Sequence, residues 1–225
     1  MDRQDTLALG KEMIDPVIIT GCPRSGTSLT AGILAACGAF FGSVRRPNQR
    51  NAKGFFENLT IQNMVSTLRR GGVGIQEDGI RIMQLQGYND GVWVVKSVAA
   101  CKQLDSWCTA FPNAKWIFVC RDQDDIIASH KRVESSITKE GLSEDGFNRY
   151  HRKLPKGWDG YVESFTSLLP VIRQETKFFM EYWPQTIIDG DLVPAKEMVE
   201  YAGLEWDEKA VTNFVDKSLW RGQNG

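Results

Sequence analysis

The sequence predicts an α/β chain, a three-layer fold with a central parallel sheet flanked by helices, and three observations predict it. Short apolar runs of strand length alternate along the chain with stretches of helical periodicity. The first run, Val17-Ile18-Ile19-Thr20, opens into the Gly-rich segment Gly21-Cys22-Pro23-Arg24-Ser25-Gly26-Thr27-Ser28. The next two runs lead into cations, Lys96 and Arg121, and ligands of parallel sheets bind at the carboxyl ends of the strands.

Each element follows from its residues. Residues 17–20 are apolar or β-branched throughout and form the first strand. Residues 28–37 carry helical periodicity and are closed by Gly38. Asn58 caps a second helix, in which Ile61, Met64, Val65 and Leu68 fall on one face and which Gly71-Gly72 ends. Residues 92–95 form a short buried strand, and residues 101–110 a helix ahead of Pro112. Residues 115–120 are the third strand and residues 124–132 the third helix. Residues 161–182 read as one long helical stretch interrupted by Pro170, and residues 186–188 as a strand. Two short helices, near 195–202 and 208–215, finish the chain. No repeat and no long linker divides it, so residues 1–225 are expected to form a single domain.

Composition narrows the function classes. With 42% hydrophobic and 24% charged residues the 225-residue chain is ordinary globular protein, long enough for one well-buried core. A net charge of −1 argues against a general nucleic-acid binder. No apolar run reaches membrane-spanning length, and Met1-Asp2-Arg3-Gln4-Asp5 lacks the basic-then-apolar order of a secretory signal, so a cytoplasmic protein with no membrane partner is expected. Five cysteines without a CxxC pair, and two histidines, give no metal-ligand pattern, and the thiols are expected to be reduced and mostly buried.

The Gly-rich segment has the chemistry of an anion cradle. Gly21 and Gly26 permit a tight turn that brings backbone N–H groups near an anion, and the helix opening near Ser28 adds further N–H groups and a positive dipole end. Arg24 supplies a planar fixed charge, and Thr27 and Ser28 supply hydroxyl donors. The outline is that of the nucleotide phosphate loop, G-x-x-x-x-G-K-[ST], with Thr27 where that pattern has Lys, so a P-loop-type fold is expected. Arg121 and Ser129, eight residues apart, can converge on one anion if residues 124–132 are helical. Arg24, Lys96 and Arg121, following three successive strands, then define a site for a ligand with several negative charges.

Six segments together carry a resemblance. They are Pro23-Arg24-Ser25-Gly26-Thr27-Ser28; Phe118-Val119-Cys120-Arg121-Asp122 with Ser129 beyond it; Lys96-Ser97; Gly54-Phe55-Phe56-Glu57-Asn58; Ile187-Ile188-Asp189-Gly190-Asp191-Leu192; and Phe214-Val215-Asp216-Lys217-Ser218-Leu219. On these the chain resembles sulfotransferases that use 3′-phosphoadenosine 5′-phosphosulfate (PAPS), in particular the bacterial and tyrosylprotein-type branch, whose loop reads P-R-S-G-T-[ST]. The resemblance implies that Gly21, Pro23, Arg24, Ser25, Gly26, Thr27 and Ser28 hold the 5′-phosphosulfate, and that Arg121 and Ser129 bind the 3′-phosphate. It implies in-line sulfuryl transfer without metal to a hydroxyl or amine of a small-molecule, sugar or peptide acceptor, with 3′,5′-ADP as the product. Arg24 and Lys96 are then the cations on the transferring group. Where the cytosolic branch has Lys-x-His this chain has Lys96-Ser97-Val98, so Glu57 is the candidate general base. Leu29 stands where that branch has an adenine-stacking Trp. Its C-terminal Arg-Lys-Gly loop is absent, leaving Lys217 and Arg221 as substitutes.

The polar stretch 134–160 is expected to be a lid and acceptor-recognition segment, with Trp158 and Tyr161 as platforms for an aromatic or sugar acceptor. Two other classes share the loop. A P-loop kinase of a nucleotide or small molecule should carry Lys at position 27 and an Asp-ended strand for magnesium, where this chain has Thr27 and Arg121. A non-catalytic nucleotide-binding module needs neither base nor acceptor pocket.

Overall fold

Successive side chains of a strand point to opposite faces, so an apolar run buried on both sides needs helices above and below it. β1 (Val17–Gly21) is such a run, buried at every position. It pairs in parallel with β2 (Val94–Lys96) on one side and β3 (Lys115–Val119) on the other, and β4 (Phe178–Tyr182) adds to β3. The sheet order is β2-β1-β3-β4. This computed structural model describes residues 15–48, 51–68, 75–139 and 156–220.

The period of two sorts the strand residues between two cores. Ile18, Val95, Trp116 and Phe118 face one, with α2 (Leu59–Leu68), α3 (Ile75–Leu85), α4 (Leu104–Ala110), α5 (Gln123–Lys139), α6 (Gly157–Thr166) and α7 (Leu169–Glu175) supplying Ile61, Met83, Trp107, Ile126, Val162 and Ile172. Val17, Ile19, Val94, Ile117 and Val119 face the other. There α1 (Thr27–Ala36), α8 (Gln185–Asp189), α9 (Val193–Ala202) and α10 (Glu208–Phe214) supply Leu34, Ile187, Met198 and Val211. Each of these large side chains contributes about 1.5–3 kcal/mol by leaving water, and the two clusters make the outer layers of the expected three-layer α/β fold. No helix among the described residues is long and apolar enough to cross a membrane.

Local chemistry explains the element ends. Asn58 Oδ1 accepts from the Thr60 and Ile61 N–H groups, capping α2 as expected, while its Nδ2 donates to the Phe41 carbonyl and to Gln86 Oε1. Gly38 follows α1 with φ 93°, a left-handed conformation that suits glycine.

Four expectations are corrected. The last strand is Phe178–Tyr182, inside the stretch read as helix, because Pro170 sits in the first turn of α7 and that helix stops at Glu175. Residues 186–188, read as a strand, lie in α8 between Pro184 and the left-handed Gly190. The helix α3 between the Gly71-Gly72 segment and β2 was not anticipated, and Gly71-Gly72 lie outside the described residues. In the expected lid, residues 134–139 continue α5, α6 begins at Gly157, and 140–155 fall outside the described residues. Trp158 is buried and stacks on His130 with ring centroids 4.2 Å apart, so it belongs to the core and is no acceptor platform. Tyr161 meets both rings edge-on.

β1 feeds toward the β2 side of the sheet and β3 toward the β4 side, so the loops leaving their carboxyl ends diverge. A crevice opens between such loops.

Candidate active site

The loop after β1 is shaped by its close approach to β3. Gly21, at φ 140°, has no room for a side chain: a Cβ there would stand 2.6 Å from the Val119 carbonyl oxygen. The chain then turns through Arg24, a non-glycine residue at φ 75°, and Gly26 at φ 104° starts α1. No side chain caps α1 and no acidic residue occupies its first turn. The leading N–H groups and the positive dipole end thus meet neither a side-chain cap nor a first-turn carboxylate. Ser25 Oγ, fully buried under the loop, has no hydrogen-bond partner among the described residues.

Two polar groups flank this helix start. On the β2 side Lys96, the last residue of the strand and 4% exposed, donates to Ser28 Oγ at 3.2 Å and to Glu57 Oε1 at 2.9 Å. Burial lowers the Lys96 pKa, the Glu57 carboxylate opposes that shift, and Arg45 adds to it. Arg45 is held against Glu57 by its own backbone, whose N–H donates to the Glu57 carbonyl, and by its guanidinium over the Phe55 ring at 4.4 Å.

On the β3 side, Arg24 Nε donates to Ser129 Oγ at 3.0 Å, and Arg121 Nη1 donates to the Arg24 carbonyl at 3.2 Å. Arg121 also lies 3.5 Å from Asp125 and stacks on the Trp220 ring at 4.3 Å. Desolvation lowers the Arg121 pKa, Asp125 opposes the shift, and the neighbouring charges of Arg132 and Arg24 reinforce it. Behind the loop, His130 Nε2 sits 3.1 Å from the Pro23 carbonyl. That contact needs a ring N–H to donate to the carbonyl, which fixes the tautomer of a neutral imidazole. Burial pushes the His130 pKa down to about 4, and the Pro23 hydrogen bond opposes this.

A cavity of about 450 Å³ is lined by Ser28 from the first group and by Arg24, Arg121 and Ser129 from the second. It runs from Gly26, Thr27 and Ser28 at the helix start to Arg121, Ser129 and Arg132, with Lys53, Phe214 and Trp220 on its walls. The structure thus gathers Arg24, Gly26, Thr27, Ser28, Arg121 and Ser129 into one lining, with Lys96 and Glu57 reached through Ser28. Arg24 stands with Ser129 rather than with Lys96. Lys217 is not part of the lining: its ammonium lies beside Gly190, and Asp216, Leu219 and Trp220 line the cavity from the same turn. Arg221 falls outside the described residues. Trp220 and Arg132 were missed by sequence reasoning. Arg132 had a signal, since it follows Ser129 by three residues and shares its helix face; Trp220 had none.

Comparison with solved structures bears on the fold. The sulfotransferase domain from the curacin biosynthetic pathway matches 92% of this chain and 79% of its own at TM-score 0.58 and 13% identity. A sulfotransferase from Alicyclobacillus acidocaldarius matches over 94% and 88% at TM-score 0.52 and 13% identity. The fold is that of the sulfotransferases. One from Mycobacterium avium, at TM-score 0.51 and 13% identity over 91% of this chain and 67% of its own, shares it too. No protein-family model and no curated protein sequence matches the chain. In this sulfotransferase fold the loop after β1 and the start of α5 hold Arg24 and Ser129 in hydrogen-bond contact.

Proposed function

We propose that the protein is a sulfotransferase that moves the sulfuryl group of PAPS to a hydroxyl or amine acceptor and releases 3′,5′-ADP. One observation carries this reading: a single cavity joins a helix start that no side chain caps to a cationic group at Arg121 and Ser129. Such a cavity suits a nucleotide with anions on both sides of its ribose. The loop residues Gly21, Pro23, Arg24, Ser25, Gly26, Thr27 and Ser28 would then hold the 5′-phosphosulfate, and Arg121 and Ser129 the 3′-phosphate. Arg24, from its place in the loop, would serve both ends.

The chemistry follows from charge. The acceptor atom attacks sulfur, the bond from sulfur to the bridging oxygen breaks, and negative charge builds on the departing phosphate. Lys96 and the N-terminus of α1 stabilise that charge. Glu57 takes the acceptor proton, and its position against Lys96 gives the lysine a counter-charge in a buried setting. A small-molecule, sugar or peptide acceptor would enter from the side of Lys53, which lines the cavity. The sulfotransferase fold of the solved neighbours supports the reaction class.

The test is transfer of sulfur label from PAPS to acceptors in a fractionated extract, beside binding of 3′,5′-ADP with and without magnesium. Metal-independent binding with labelled product is the expected result. Magnesium-dependent ATP binding without 3′,5′-ADP binding points to a kinase, and 3′,5′-ADP binding without any labelled product to a non-catalytic module; either overturns the proposal.

A further inference from the structure

Positive charge is concentrated in one early stretch of the chain. Between Asp15 and Glu57 there is no acidic residue, whereas Arg24, Arg45, Arg46, Arg50 and Lys53 all fall in that span of a chain whose net charge is −1. Arg24 belongs to the phosphate loop; Arg45, Arg46 and Lys53 belong to the arm that leads into Glu57. The arm doubles back on itself: Asn48 and Asn51 exchange backbone hydrogen bonds at 3.1 and 3.0 Å, and the Arg45 N–H donates to the Glu57 carbonyl at 2.8 Å. Its turn, through Asn51, Ala52 and Lys53, lines the cavity, while its base sets Arg45 beside Glu57. Two rings seat the cations, with the Arg45 guanidinium over Phe55 at 4.4 Å and the Lys53 ammonium over Phe214 at 5.6 Å. Phe214 in turn meets Phe56, the neighbour of Glu57, edge-on at 6.0 Å. Arg45, Arg46 and Lys53 are exposed, and among the described residues none of them forms an ion pair with a carboxylate. The Glu57 carboxylate is taken by Lys96. Asp216 is the other carboxylate that feels this charge: its hydrogen bonds from Ser218 lower its pKa first, and Lys53 adds a smaller share.

We infer that the acceptor is a small acid, carrying a carboxylate or phosphate beside the hydroxyl or amine that attacks sulfur, and that Arg45 binds this anionic group while Lys53 and Arg46 draw it in. The inference rests on the PAPS reading and deepens it by naming the substrate class. The anions of the nucleotide are met by the loop after β1 and by Arg121 and Ser129, and Arg45 does not line the cavity that holds them. The charge of Arg45 nevertheless reaches the reacting pair. Burial lowers the Lys96 pKa, the Glu57 carboxylate opposes the shift, and Arg45 adds to it. An anion seated on Arg45 screens that repulsion and so favours the charged ammonium that the departing phosphate requires. A neutral acceptor leaves the repulsion in place. An acceptor whose reacting atom meets Glu57 thus finds, on the adjoining strand of the arm, one guanidinium steadied by a ring. Its outward fork suits a single carboxylate or phosphate.

The experiment divides a cell extract into dialysable and macromolecular pools and passes the dialysable pool over an anion exchanger at pH 7. Each fraction is then offered to the full chain with PAPS labelled in sulfur. Label should enter the retained fraction and not the flow-through. Treating the retained fraction with phosphatase, and removing that enzyme before the assay, should abolish labelling if the group is a phosphate and leave it intact if the group is a carboxylate. With the retained fraction as acceptor, Arg45→Gln should raise the half-saturating amount by about 10-fold or more, as expected for a charge-assisted contact, while KM for PAPS changes by less than about 2-fold. A variant whose arm had collapsed would move both constants, so the split reads binding rather than folding. Arg45→Lys should fall between, since it keeps the charge but not the fork. Acceptor activity confined to the flow-through or to the macromolecular pool, or an unchanged half-saturating amount in Arg45→Gln, overturns the inference and leaves the PAPS reading standing. No label in any fraction overturns the PAPS reading and the inference with it.

Discussion

Lys96 and Glu57 share one short contact, and cutting it from the Glu57 side separates two roles. Removing the carboxylate altogether leaves a buried ammonium without its counter-charge, which costs about 3–5 kcal/mol for a fully buried pair. Glu57→Gln is gentler, because the amide oxygen still accepts from Lys96 Nζ but takes no proton from an acceptor. Turnover of Glu57→Gln at saturating PAPS should fall by about 100- to 10,000-fold, the usual contribution of a general base, with 3′,5′-ADP affinity little changed. Steady-state kinetics beside calorimetry reads both, and a fall of less than about 10-fold removes Glu57 as the base. His130 offers a prediction of another kind. Its folded pKa, about 4, lies below the 6.5 of an exposed imidazole, through desolvation first and the nearby Arg24 charge second, against the Pro23 hydrogen bond and Glu134. The unfolded chain therefore binds the proton more readily than the folded one. Stability from this group is complete above pH 6.5 and is lost as pH falls from 6.5 toward 4, by an amount on the order of 3 kcal/mol. Urea unfolding at pH 7, 6, 5 and 4.5 should show that loss in the wild type and a flatter profile in His130→Gln, whose amide can still donate to Pro23. Parallel profiles would mean that His130 does not titrate in this window.

At the scale of elements, α1 and α10 meet where Gly32 lies against Phe214, and a Cβ on Gly32 would overlap the ring. Alanine there gains about 1 kcal/mol of helix propensity, but displacing a packed ring typically costs about 1–3 kcal/mol. Gly32→Ala should therefore lower the urea midpoint, and because Phe214 also lines the cavity it should weaken 3′,5′-ADP. A raised midpoint with unchanged binding would show that the ring yields freely. The same elements show what could be read from sequence. β1, β2 and β3 were legible because both faces are buried, so that Val17-Ile18-Ile19, Trp93-Val94-Val95 and Trp116-Ile117-Phe118-Val119 are uninterrupted apolar runs. β4 was not, because Phe178-Phe179-Met180-Glu181-Tyr182 runs from an exposed through half-buried to a buried position, a mixture that an amphipathic helix also has. Thr186-Ile187-Ile188 has strand propensity but is confined to a short turn of helix between Pro184 and Gly190, and tertiary context prevailed. That Arg24, Lys96, Arg121 and Ser129 lie around the start of α1 was legible because a strand end, the loop after β1 or a fixed spacing placed them. Trp220 reaches the cavity only through the fold of the C-terminal turn, where its indole N–H donates to Gln185 Oε1 at 2.6 Å, and no local pattern encodes that.

For the whole molecule, a ligand that binds only the folded chain adds its binding energy to the stability of every element. At 100 times its dissociation constant 3′,5′-ADP should stabilise the protein by about 2.7 kcal/mol, which for a chain of this size is a rise in Tm of roughly 5–10 °C. Thermal unfolding with added nucleotide measures this. Magnesium should not enlarge the shift, and 5′-AMP at the same concentration should give a smaller one; equal shifts from the two nucleotides would mean that the 3′-phosphate goes unread. The strand order carries one more consequence, and it concerns synthesis. β1 sits in the middle of the sheet, yet Val17 pairs with Val94 and Lys115, both made long after it. At the common pace of translation, about 5–20 residues per second, the run Val17-Ile18-Ile19 waits on the order of 4–15 seconds for its first neighbour and longer for its second. During that interval it is an apolar, β-branched segment with both edges open, the kind that pairs with other chains. The loop that follows β1 therefore takes its final shape only long after it is made, and crowding of nascent chains is where its folding is most exposed to error.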